Sequence, residues 1–251
     1  MAIPQLTSYP LPDATELPNN KVKGTLEPGR AALLSHDMQR YFLNFWGDNS
    51  PLVEQVVDNI VRLRRYCKAQ GIPVFYTAQP NAQSDEDRAL LNDMWGPGLN
   101  KHPDQQKIVE ALAPDEHDQV LTKWRYSAFH RSPLEAILQE MGRDQLIITG
   151  VYAHIGCLTT ATDAFMRNIQ PFMVADALAD FSREEHMMAL TYTAGRSGKV
   201  VMTADLMPVP LSKDELRMLI LPLLEDDEVP DDDENLIDYG LDSVRMMALA
   251  A

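Results

Sequence analysis

The 251-residue chain predicts an α/β fold, a parallel sheet between two helical layers, followed by a small helical appendage. Two observations carry that prediction. Short apolar runs rich in Val, Ile and Leu recur between residues 31 and 205, and segments of helical period separate them. Alternation of that kind gives parallel strands covered by helices on both faces. The pattern then changes near Pro208 to Ser212, which places a boundary near Pro210: one domain over residues 1–210 and a second over 211–251.

"AALLSHD" reads as the first strand. Leu52 to Gln70 follows as a helix, with Val53, Val56, Val57, Ile60 and Leu63 on one face and Gly71 as its stop. "IPVFYTAQ" is the second strand and "QVLTK" a weaker third. "SPLEAILQEMG" is a short helix with a Ser start and a Gly stop. "DQLIITG" is the next strand, and Leu158 to Arg167 the next helix. "PFMVADAL" and "KVVMTAD" are the last strands, flanking a helix from Arg183 to about Ala194. "DEDRALLNDMWGPGL" reads as a loop between strand two and the next helix. Beyond Pro210, "KDELRMLILPLL" reads as a helix, followed by an acidic loop and "NLIDYGLDSVRMMALAA".

Formal net charge is −15, and nine acidic residues with no basic one lie between Glu225 and Asp238. An acidic surface repels phosphate backbones, so nucleic acid is excluded as a partner. The acidic run itself reads as a solvated loop. Cys67 and Cys157 form no metal or disulfide pattern, which fits a reducing cytoplasm. No apolar run approaches about 18 residues, and the start lacks a basic and apolar leader, so neither a membrane span nor a signal peptide is expected.

In a doubly wound sheet the site lies beyond the carboxyl ends of the strands. Asp37, Gln79, Lys123 and Tyr152 all fall at or just past a predicted strand end. Burial disfavours the charged form of a carboxyl, which suits Asp37 to general acid work; the plainer reading is a helix cap before "MQRYF". Lys123 reads as a surface lysine, or, directly after a strand and before Trp124, as one not fully exposed. Arg88 reads as an ion pair with Asp85 or Glu86, and Trp95 as core packing.

The stretches "HDMQ", "YTAQP", "KWRYSAFHRSPL", "LIITGVYAHIG" and "ADFS" resemble the isochorismatase-like, or cysteine hydrolase, superfamily over the whole chain. Its thiol members combine an Asp after strand one, a Lys after a middle strand and a Cys at a strand–helix turn. Aligned on the leading "GV", that Cys position falls on Gly156, one residue before Cys157. The resemblance therefore implies the isochorismatase branch, which hydrolyses a vinyl ether without a covalent intermediate. It implies Asp37 as the acid, with Lys123 and Gly156 beside it. Lys123 and Arg88 would hold substrate carboxylates. Gln79, Tyr152 and the Gly156 N–H would donate hydrogen bonds, and Phe42 and Trp95 would wall the pocket. Gly156 would leave room for the substrate ring, and Cys157 would be a packing residue. Two other readings stay open: a thiol amidohydrolase, nicotinamidase-like, with Cys157 as nucleophile, and a non-catalytic carrier or docking protein.

"DYGLDSVRMMAL" resembles the attachment motif of aryl carrier domains, with 4′-phosphopantetheine on Ser243; the plainer reading is a helix cap. Asp242, the Gly240 carbonyl and Glu225 are candidates for Mg²⁺ during the transfer. Carrier domains are four-helix units and eight residues follow Ser243, so the carrier segment is expected to be incomplete. The resemblance implies catecholate siderophore synthesis. Its partners would be isochorismate, a 2,3-dihydroxybenzoate adenylating ligase, a phosphopantetheinyl transferase and a condensing nonribosomal peptide synthetase. It also implies a homo-oligomer, a dimer or higher.

Overall fold

Six parallel strands form the sheet; the central ones are buried apolar runs, while the edge strands β3 and β6 are shorter and partly exposed. The computed structural model describes residues 3–207. Chain order is β1 (Ala31–His36), α1 (Arg40–Leu43), α2 (Pro51–Ala69), β2 (Val74–Ala78), α3 (Asp85–Arg88), α4 (Leu90–Trp95) and β3 (Gln119–Thr122). Then come α5 (Leu134–Glu140), β4 (Gln145–Val151), α6 (Leu158–Met166), β5 (Gln170–Ala179), α7 (Arg183–Tyr192), β6 (Lys199–Val201) and α8 (Thr203–Leu206). The sheet runs β3-β2-β1-β4-β5-β6, with every pair parallel. This is the three-layer arrangement predicted. Glu225, Gly240, Asp242 and Ser243, with the boundary near Pro210, lie outside the described residues.

Strand parity builds two cores. Leu33, Tyr76, Ile147 and Phe172 face one side, where Leu52, Val56, Ile60, Leu63 and Cys67 of α2 cover them. Leu34, Phe75, Ile148 and Met173 face the other, covered by Leu134 and Leu138 of α5, Ala161 and Ala164 of α6, and Ala189 and Leu190 of α7. Every residue of β1 and β4 is buried, as expected for central strands covered on both faces. Helix α2 begins where Ser50 accepts a hydrogen bond from the Val53 N–H at 3.3 Å and Pro51 takes the first turn. It ends before Gly71, at φ +68°.

Three local expectations change. "DEDRALLNDMWGPGL" is not a plain loop but holds α3 and α4. The helix from Arg183 ends at Tyr192 and widens into an irregular turn over Thr193–Ser197. Asp37 caps no helix: β1 stops at His36, Asp37 turns the chain at φ +52°, and Gln39 stands at the start of α1.

The chain winds outward from β1 through β2 to β3, then returns to pair β4 on the other side of β1. The strand order reverses between β1 and β4, so a crevice opens beyond their carboxyl ends. There His36 pairs with Gly150, and a Cβ on Gly150 (φ +106°) would fall 2.1 Å from the His36 carbonyl oxygen. Only glycine lets the strands meet this closely.

Candidate active site

The crevice is a cleft of about 580 Å³. All eight site residues expected in residues 3–207 line it: Asp37, Phe42, Gln79, Arg88, Trp95, Lys123, Tyr152 and Gly156. They come from the ends of β1, β2, β3 and β4, from α1, which carries Phe42, and from the segment holding α3 and α4.

Asp37 and Lys123 form its polar floor, with only 5% and 4% of each residue exposed. The Lys123 ammonium donates to Asp37 Oδ2 at 2.6 Å. Thr77, on β2 opposite His36, donates from its hydroxyl to Oδ1 at 2.8 Å, and that hydroxyl accepts the Asp37 N–H at 3.1 Å. Lys123 is placed by its own N–H, which donates to the Ala78 carbonyl at 2.9 Å and extends the β2–β3 pairing by one residue. Lys123 is therefore no surface lysine.

Arg88 closes α3. Its expected ion pair with Asp85 or Glu86 is not made; among the described residues it pairs with no carboxylate. Its Nε donates to the Gly96 carbonyl at 2.7 Å and Nη1 to Gln83 Oε1 at 3.2 Å. The guanidinium lies flat against Gly98, where a Cβ would come within 2.6 Å of Nη2. The result is a 4% exposed cation at the cleft wall with no counter-charge of its own. Gln79 is held through its backbone, which exchanges hydrogen bonds with the Gln39 amide at 2.8 and 2.9 Å, so its side chain remains available to the cleft. Trp95 donates its indole N–H to the Tyr126 hydroxyl at 2.9 Å.

Two expectations need correction. The Tyr152 hydroxyl does not point at a ligand, because it donates to the Phe42 carbonyl at 2.8 Å. Tyr152 supplies a ring instead, edge-on to Phe42 at 6.1 Å and to Phe181 at 4.7 Å. At Gly156, which lines the cleft, the direction a side chain would take is filled by His36 and is not where room for a substrate ring lies. A Cβ there would sit 2.1 Å from Cε1 of His36. His36 is fully buried; burial and then the Lys123 charge push its pKa down to about 4, so the ring is neutral. Its Nδ1 lies 3.0 Å from the Val151 carbonyl and its Nε2 3.3 Å from the Tyr126 carbonyl; a neutral ring donates to one of them, and the Val151 contact is the shorter.

Cys157 is fully buried and absent from the cleft lining, and burial pushes its thiol well above the ordinary value. It is a packing residue of the core beside Ala153 and Ala161.

Sequence reasoning missed Thr77, His36 and a second constellation next to the cleft. His154 Nδ1 meets Asp180 Oδ1 at 2.5 Å, and Nε2 lies 3.8 Å from Glu185. Burial opposes the charged imidazole, but the Asp180 hydrogen bond and the two carboxylates outweigh it, so the His154 pKa is raised. The three side chains are close enough to hold a metal ion, yet the buried Asp180 carboxylate is already engaged by the His154 ring and two backbone N–H groups. The motif "ADFS" marked this place, but nothing in it tells that Asp180 turns toward a histidine 26 residues earlier.

An isochorismatase domain model matches residues 31–205. The chain is 69% identical over 253 residues to enterobactin synthase component B of Escherichia coli K12, covering all of this chain and 89% of that protein. It is 48% identical over 271 residues to an isochorismatase of Bacillus subtilis strain 168, covering 99% and 86%. A cysteine hydrolase from Pseudomonas syringae pv. phaseolicola superposes with a TM-score of 0.67 at 24% identity, over 79% of this chain and 96% of that one, which shows the shared fold. The match spans the whole sheet and the strand ends that bear Asp37, Lys123 and Gly156, and the chain belongs to the isochorismatase family.

Proposed function

We propose that the cleft hydrolyses the enol ether of isochorismate to 2,3-dihydro-2,3-dihydroxybenzoate and pyruvate, in catecholate siderophore synthesis of the enterobactin type. One observation carries the reading: among the described residues, a buried Asp–Lys pair shares a cleft with an Arg that has no carboxylate partner, and no thiol lines that cleft. The relative at 69% identity bears the enterobactin name, which supports the pathway.

The roles follow from the chemistry. Asp37 in its acid form protonates the methylene carbon of the enolpyruvyl group. A water molecule adds to the resulting oxocarbenium carbon and returns a proton to Asp37. The hemiketal then collapses: its hydroxyl becomes the pyruvate carbonyl, the bond to the ring oxygen breaks, and the hydroxyl proton passes to that oxygen. Proton count and charge close with one water consumed. Lys123 and Arg88 take the two carboxylates of the substrate, Arg88 through its planar fork. Gln79 and the Gly156 N–H donate hydrogen bonds, while Phe42, Trp95 and the Tyr152 ring keep the oxocarbenium from bulk water.

The same reading assigns residues 211–251 to an aryl carrier domain, with 4′-phosphopantetheine on Ser243 and Mg²⁺ near Asp242, Gly240 and Glu225 during loading. The adenylating ligase, the phosphopantetheinyl transferase and the condensing synthetase are its partners, and a cytoplasmic homodimer is the proposed working form. No described helix is long and apolar enough to cross a membrane. The test is pyruvate release from isochorismate, read by coupling to lactate dehydrogenase. One pyruvate per isochorismate is expected; no release would sink the reading.

A further inference from the structure

We infer that the N-terminal strap, residues 3–9, is a working wall of the active site and that Tyr9 is the positioning residue that secures it; this rests on the cleft being the isochorismate site. The strap precedes the residues matched by the family model. Ile3 lines the cleft directly. Leu6 is buried, and its N–H donates to the Phe45 carbonyl at 2.7 Å. The Ser8 and Ser50 hydroxyls meet at 2.7 Å. The strap is thus fastened at three points along its length, with its first described residue in the cleft.

Tyr9 is the third fastening, and it ties the strap to the loop after β5. Its phenolic oxygen accepts the Asp180 N–H at 2.8 Å. Its own proton is directed at Nδ1 of His186, 3.0 Å away, a buried ring that desolvation keeps neutral at about 4. Asp180 in turn holds both banks of the cleft. Its Oδ1 accepts the Phe181 N–H at 2.9 Å, and its Oδ2 accepts the His154 N–H at 2.6 Å. Phe181 stands against Tyr152 and, at 6.0 Å, against Trp95. The His154 N–H opens the turn that presents Ile155 and Gly156 to the cleft. One hydroxyl therefore supports the loop after β5 and, through Asp180, the turn after β4.

Tyr9→Phe keeps the ring and its edge contact with His186 but leaves the Asp180 N–H and His186 Nδ1 without partners. A buried donor left unpaired costs more than the bond was worth, so the loop shifts until it finds another partner. In steady-state pyruvate release by the full chain, Tyr9→Phe is expected to raise KM about tenfold with kcat within about twofold, the pattern of lost ground-state and transition-state binding alike. Native-state amide exchange at His154 and Phe181 is expected to accelerate at least about tenfold while β4 amides such as Ile147 stay protected. Ile3→Trp narrows the cleft and is expected to raise KM with an unchanged melting temperature. Wild-type KM in both variants overturns the inference. So does faster exchange spread evenly over the sheet with KM unmoved, since that is a purely structural role. If the wild-type chain releases no pyruvate, the functional reading fails, and local exchange at His154 and Phe181 still decides whether Tyr9 positions the wall.

Discussion

Asp37 sits where three constraints meet. The backbone holds it at φ +52°, Thr77 fixes one oxygen and Lys123 the other. Asp37→Asn preserves shape and most of these contacts but has no proton to give. Turnover should fall at least about 10²-fold, the usual scale of general acid catalysis, with the fold intact by circular dichroism. An Asn variant at near-normal rate would remove Asp37 from the mechanism. Gly156 makes the opposite kind of prediction, because its constraint is an absence. An alanine Cβ would collide with an imidazole whose Nδ1 is bonded and which is fully enclosed. Gly156→Ala should therefore destabilise by roughly 1–3 kcal/mol, as overpacking does, and His36→Ala in the same chain should recover part of that loss. Additive losses in a denaturant melt would show that the two residues do not share the space. Asp37, Lys123 and Arg88 were readable as candidates because strand ends and charged residue types are local features of the sequence. His36 was not: it is adjacent to Asp37 in the chain, but its contact with Gly156 crosses 120 residues and appears only when β1 and β4 lie side by side.

At the scale of elements, the turn after β4 and the loop after β5 are joined by the His154–Asp180 pair. The raised His154 pKa means that the folded state holds its proton more tightly than the unfolded chain does. The stabilisation is therefore complete below the ordinary value near 6.5 and is lost as pH rises through the raised folded value. His154→Gln should abolish that part of the pH dependence: wild type should exceed the variant in melting temperature at pH 6 and converge toward it at high pH. A difference that is constant across pH would put the pair outside the titration. The elements themselves were largely visible in advance. Helix α2 was placed to within one residue at either end, since its buried face repeats at helical spacing and both ends carry terminators. Helices α3 and α4 were not, because four and six residues are too short to show a period.

For the whole molecule, two fully buried histidines set the acid limit. His36 and His186 are both pushed down to about 4, mainly by burial, whereas the unfolded chain takes up protons near 6.5. Between those values the unfolded state binds more protons, so stability should fall steadily as pH drops from about 6.5 to about 4, and these two groups add nothing further below that. Thermal melts across that window should show the loss, and His186→Gln should reduce its slope; an unchanged slope would exclude His186. By itself the sequence determined the layer architecture, the parallel sheet and the end of it that bears the chemistry. Burial of apolar runs and strand–helix alternation are written locally, and the crevice follows from the order in which strands are added. It also determined that position 156 of the turn is a glycine with Cys157 one residue beyond it; that Cys157 is buried away from the cleft was decided by the packing. Only the tertiary structure decided which polar groups are spent and which are free. The Tyr152 hydroxyl is consumed by a carbonyl 110 residues away, the Arg88 guanidinium is left without a carboxylate among the described residues, and a strap from the N-terminus closes the wall. Each of those outcomes depends on distances between segments remote in sequence, and hydrogen-bond partners are chosen by proximity in space after the core has packed.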